Sequence, residues 1–148
     1  MGSGLFYQDI KEHEIEIKTH VFMETEAILR VPTRNINLKY HHLGIPTKNK
    51  LKDESHLEHL KMYVSGYGKN PYGIEWIRFE EDAPYPELVK TVPHVAFEVN
   101  NMEEAIKGKK VIIEPNSPSR GVLVAFIEDN GVPIEFLEVD RTIAEEGI

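Results

Sequence analysis

His94 stands near the start of Pro93-His94-Val95-Ala96-Phe97-Glu98-Val99, a short run whose β-branched and aromatic residues predict a strand. His42 holds a similar early place in Tyr40-His41-His42-Leu43-Gly44-Ile45, and Glu135 lies near the start of Pro133-Ile134-Glu135-Phe136-Leu137-Glu138-Val139. A recurring strand histidine, followed by a carboxylate strand, reads as a doubled module built round a shared site. Glu135 would be costly to bury in so apolar a strand without a cation or hydrogen-bond donors, and that cost points to metal chemistry. The chain has no cysteine, so nitrogen and oxygen must supply every ligand. Taken singly, a strand histidine is more often a packed or surface residue; the case rests on the three together.

Composition narrows the partners. A chain of 148 residues, 41% hydrophobic and 28% charged, suits one soluble domain with a core of its own. With a net charge of −8 and 17 scattered basic residues it offers no footprint for nucleic acid. Lys107, Lys109 and Lys110 form the only dense basic run and read as a solvated helix end. No apolar run is long enough to span a membrane and no secretory leader is evident, so a cytoplasmic protein is expected.

Strands are predicted at Leu38–Ile45, Met62–Gly66, Ile74–Phe79, Val95–Val99, Val111–Glu114, Val122–Glu128 and Ile134–Val139. A short helix is predicted after the acidic Asp53-Glu54-Ser55, running through Leu57 and Leu60 to Lys61. A second, capped by Asn101, runs through Met102, Ala105 and Ile106, and Asn130-Gly131 predicts a tight hairpin turn. The twofold period of a strand puts Tyr40 and His42 on one face and His41 on the other, and groups Glu75, Ile77 and Phe79 opposite Ile74, Trp76 and Arg78. His56 and His59 have a chelating i, i+3 spacing but read better as a solvated helix face, and Glu138 as a solvated residue opposite Glu135. The expected fold is α+β. Residues 1–36 form an N-terminal extension, with His13 and His20 as surface or packing residues. Module one (37–80) follows, then a linker (81–92) and module two (93–140). Module two reads βαβββ, and module one reads as a shortened copy whose fourth strand is weak or missing.

The pattern resembles the vicinal oxygen chelate superfamily, which includes glyoxalase I, methylmalonyl-CoA epimerase, fosfomycin-resistance transferases, extradiol dioxygenases and bleomycin-resistance proteins. His42-Leu43-Gly44-Ile45, the Pro93–Val99 run and Phe126-Ile127-Glu128-Asp129-Asn130-Gly131-Val132-Pro133-Ile134-Glu135 carry the resemblance, which covers about Leu38 to Val139. It implies a glyoxalase-like cup of two βαβββ modules, with a divalent cation held by His42, Glu75, His94 and Glu135. Two imidazoles and two carboxylates suit zinc, nickel, cobalt, manganese or ferrous iron. Glu87 competes with Glu75 for the fourth place, because the internal repeat aligns Glu87 with Glu135. Glu75 is preferred: it lies in a clear strand, whereas Glu87 follows Pro86 in a stretch poor in strand residues.

Two functions follow from that resemblance. One is a metal-dependent lyase or isomerase, in which the cation polarises two neighbouring oxygens of a small carbonyl substrate and stabilises the enediolate left by proton loss. Glu135 or Glu75 would be the base, with Tyr40, Tyr63, Trp76 and Phe126 as candidate pocket walls. The other is a non-catalytic binding, resistance or sensor module of the same fold. Metal content separates the two. Relatives often pair modules across chains, so a homodimer is also expected.

Overall fold

Eight segments of alternating apolar and polar residues build one curled sheet. A computed structural model of the chain describes residues 37–144; the expected extension, with His13 and His20, lies outside them. The strands are β1 (Lys39–Pro46), β2 (Ser55–Leu57), β3 (Met62–Ser65), β4 (Ile74–Phe79), β5 (His94–Glu98), β6 (Lys110–Ser119), β7 (Val122–Asp129) and β8 (Val132–Val139), in the order β2-β3-β4-β1-β5-β8-β7-β6. β1 is parallel to β4, β5 is parallel to β8, and β1 and β5 run antiparallel between them. The remaining neighbours pair antiparallel, so both halves use one pairing scheme in a mixed half-barrel.

The first half differs from expectation in two ways. Its fourth strand is present, and its helix is not: the stretch predicted as helical forms β2 and a 3-10 turn over Glu58–Leu60, which Lys61 ends in the left-handed region at φ 52°. The acidic residue that read as a helix start has other partners. Glu54 accepts from the Arg78 guanidinium of β4 and from the Leu51 backbone N–H, while Arg78 sits 3.9 Å over the Tyr63 ring. That pairing ties the end of the 47–54 loop to the sheet just before β2.

The segment expected as a linker contains a helix, α1 (Glu87–Thr91). β6 runs on through Pro115 and Pro118, because it is the outermost strand and its register is broken by irregularities that spare the missing N–H groups. α2 (Met102–Ile106) begins as the sequence predicts, with the Asn101 side chain accepting from the Glu104 N–H at 3.0 Å. Glu138, expected to be solvated, is half-buried and accepts from the Met102 N–H at 2.6 Å. Asn130 and Gly131 both take positive φ, as a tight hairpin requires. Val99, Met102, Ala105, Ala125 and Phe136 pack together where α2 meets the sheet, and Val89, Ala96, Val124, Phe126 and Leu137 form a second cluster.

Candidate metal centre

Strand register places the sequence-predicted residues in two rows across the four central strands. In one row Glu75 of β4 lies opposite Gly44 of β1, and Gly44 lies opposite His94 of β5. In the other, His42 of β1 lies opposite Ala96 of β5, and Ala96 lies opposite Glu135 of β8. Each row puts a very small residue between two candidate site residues. A Cβ added at Gly44 would fall 2.1 Å from His94 Cε1, so the imidazole lies against bare backbone. The same register makes Glu75 the positional counterpart of Glu135. Glu87, which the internal repeat favours, is instead exposed in the first turn of α1, away from the cavity.

His42, His94 and Glu135 converge. His42 Nε2 lies 3.3 Å from His94 Nε2, and one Glu135 carboxylate oxygen lies 3.2 Å and 2.9 Å from those two nitrogens. The three residues are 5%, 2% and 8% exposed. An ion beside this triangle can lie about 2.0–2.1 Å from all three atoms, the usual bond length for zinc with imidazole nitrogen and carboxylate oxygen. Two histidines and one carboxylate on one side of an ion leave its other positions open. The donor set and its spacing therefore fit a divalent cation. Glu75 lines the same cavity but stands outside this group. Burial pushes its carboxyl above the usual range, with His42 opposing and Glu135 adding to the shift.

The rest of the electrostatics follows from packing charge under the sheet. Burial raises Glu135, yet hydrogen bonds from His42 and His94 outweigh it and bring its pKa down to about 2. Burial lowers His42, but the Glu135 hydrogen bond and charge prevail and its pKa is raised. The Glu135 contribution to stability is present above its ordinary pKa of 4.5 and is lost as pH falls through about 2. That of His42 is present below its ordinary 6.5 and is lost as pH rises through the raised folded value. With a chelator present, the urea-unfolding stability that Glu135→Gln removes should be greatest between pH 4.5 and 6.5. A difference still growing steadily to pH 8 would contradict the pair.

Sequence reasoning missed His41 and Tyr67. The β1–β5 register shifts between Tyr40 and His42, so His41 does not simply point away from His42 as strict alternation requires. Its ring meets that of His42 edge-on at 5.1 Å, with the two Nδ1 atoms 2.8 Å apart, and its Nε2 lies 3.1 Å from the Tyr67 hydroxyl. The adjacent His-His pair was the only signal available. Of the four aromatic residues expected as walls, Phe126 alone lines the cavity, its ring 5.1 Å from that of His94. Tyr40 is exposed and bonds the Tyr72 carbonyl, Tyr63 is turned to Arg78, and Trp76 lies on the face opposite Glu75. The cavity has a volume of about 170 Å³, with apolar walls that include Leu60, Met62, Ile77 and Ile113, and among the described residues neither lysine nor arginine lines it. His56 and His59 bond Glu80 and the Pro118 carbonyl respectively, so they form no shared site.

No helix among the described residues is long and apolar enough to cross a membrane. No family model matches the chain, and no curated protein matches it. Among solved structures it is similar to the hypothetical protein BH1468 from Bacillus halodurans C-125, with a TM-score of 0.53 and 22% identity over 78% of this chain and 99% of that one. At that identity the likeness is one of fold: a curled, mixed half-barrel of eight strands.

Proposed function

We propose that the chain is a divalent-metal-dependent lyase or isomerase of the vicinal oxygen chelate type, acting on a small carbonyl compound. One observation carries the reading: three buried donors meet in a cavity that also holds a second carboxyl, Glu75, outside their group. When bound, a zinc, nickel, cobalt, manganese or ferrous ion would supply Lewis acidity to two adjacent substrate oxygens. His42, His94 and Glu135 would hold it. Glu75 takes a proton from the carbon beside the carbonyl and returns it to the neighbouring atom. Its raised pKa brings it towards the range in which a carboxylate is an effective base. The apolar walls keep water from the exchanging proton, and with no lysine or arginine among the described lining residues they favour a substrate whose body is uncharged. The volume is comparable to that of one six-membered ring with a few added atoms. In this reading the half-barrel is the two-module glyoxalase-like cup, with a polar loop in place of the first module's helix.

The apolar cavity also favours a second reading, a binding module that sequesters a small molecule without turning it over. Metal analysis of the purified protein tests the first. About one divalent ion per chain is expected by analogy with such sites, and His94→Ala should lose it. Equal metal in that variant removes the site. Deuterium uptake from solvent into a panel of α-hydroxy carbonyl compounds then separates an enzyme, which labels the α-carbon, from a binder, which does not.

A further inference from the structure

The geometry points to His41 and Tyr67 as positioning residues that hold His42 in the one tautomer able to bind a cation, a role that rests on the metal-centre reading. To ligate through Nε2, His42 must present a lone pair there and keep its proton on Nδ1. That proton needs an acceptor. The atom in reach is His41 Nδ1, at 2.8 Å. If His41 Nδ1 accepts, the proton of a neutral His41 sits on Nε2, which donates to the Tyr67 hydroxyl oxygen at 3.1 Å. With a cation on His42 Nε2 this assignment satisfies both contacts with one proton on each imidazole, whereas the reverse one, with Tyr67 donating to His41 and His41 to His42, puts the His42 proton on Nε2 against Glu135. Tyr67 stacks on His41 at 5.0 Å and 11°, which fixes the plane of that ring.

The backbone is built to allow this. Consecutive residues of a regular strand point to opposite faces, so adjacent histidines cannot normally share a hydrogen bond. The irregularity between Tyr40 and His42 brings the two rings together. Bulges of this kind commonly re-aim a side chain beside a site. The other proposed histidine ligand has no such support among the described residues: His94 Nδ1 is buried with no hydrogen-bond partner there, and that ring is placed by contact with Gly44 and Phe126. Orientation by hydrogen bond therefore belongs to His42 alone.

Asparagine and glutamine separate this role from mere packing. Asn offers an acceptor near the position of imidazole Nδ1, whereas Gln offers one near Nε2. Titration with Co(II), read in the visible d–d absorption band, should show His41→Ala and His41→Gln binding about 10- to 100-fold more weakly than the unaltered protein, as loss of an outer-shell partner does. His41→Asn should restore both affinity and band shape, and Tyr67→Phe should show a smaller loss. Thermal unfolding without metal identifies any variant that has lost its fold, and Tyr67→Phe, which removes only an oxygen, then carries the test. If the unaltered protein takes up Co(II) and all the folded variants match it, the positioning role is wrong while the metal centre stands. If the unaltered protein takes up none, both are wrong.

Discussion

Gly44→Ala should cost the protein its metal although every proposed ligand remains. The added Cβ would lie 2.1 Å from Cε1, 2.4 Å from Nε2 and 2.7 Å from Nδ1 of His94, distances that no pair of non-bonded atoms tolerates. His94 is 2% exposed and has the Phe126 ring edge-on at 5.1 Å, so it can yield only by swinging into the cavity it lines. The ring must leave its rotamer, which takes Nε2 away from His42 and Glu135, or the central β1–β5 pairing must open. Overpacking of this kind costs about 1–3 kcal/mol. Its effect on the ion should be larger than the ~100-fold upper range for an outer-shell change, because a ligand is displaced outright. The double variant Gly44→Ala/His94→Ala separates the two consequences. Removing the imidazole should recover the stability lost to the clash and leave metal binding absent, a strong non-additivity between touching residues. Metal affinity in Gly44→Ala equal to that of the unaltered protein would mean that His94 is not a ligand.

The residues of the candidate site were legible for a simple reason. His42, His94 and Glu135 each occupy a strand whose alternation is strong, and a carboxylate in a run as apolar as that of β8 conflicts with its surroundings unless something compensates it. What stayed hidden depends on distant pairing. Glu54 reads as the start of a helix because Asp53-Glu54-Ser55 makes an acidic first turn, but its partner, Arg78, belongs to β4. Proline ended β6 on paper, since only the sheet order shows that β6 is an edge. The choice between Glu75 and Glu87 could not be made from intervals, because a loop of different length in the first half throws the count out; the register through Gly44 decides the position directly. Aromatic residues read as pocket walls by type were misplaced for a related reason. Met62 and Val64 face the cavity, so the period of two turns Tyr63 away from it, and nothing local says which face of β3 is inside.

Glu75→Gln should separate holding an ion from using it. Burial raises the Glu75 carboxyl, so the fold favours its protonated form, and ionising it is a cost that folding must carry. Below the ordinary value of 4.5 that cost is absent; it grows as pH rises above 4.5 and levels off once the folded group has ionised. Glutamine, similar in shape and neutral throughout, should therefore make the metal-free protein more stable near pH 8 and leave it unchanged near pH 4, as measured by urea unfolding with chelator present. In the loaded protein the three donors are intact, so the variant should keep its ion. Deuterium incorporation should fall by about 10²–10⁴-fold, the usual contribution of a positioned general base. Loss of the ion from Glu75→Gln would make that carboxylate a fourth ligand, and an ion retained with undiminished exchange would leave Glu135 as the base. Stability, metal content and exchange respond to different properties of one side chain, its charge, its distance from the donors and its basicity, so the three measurements together assign its role.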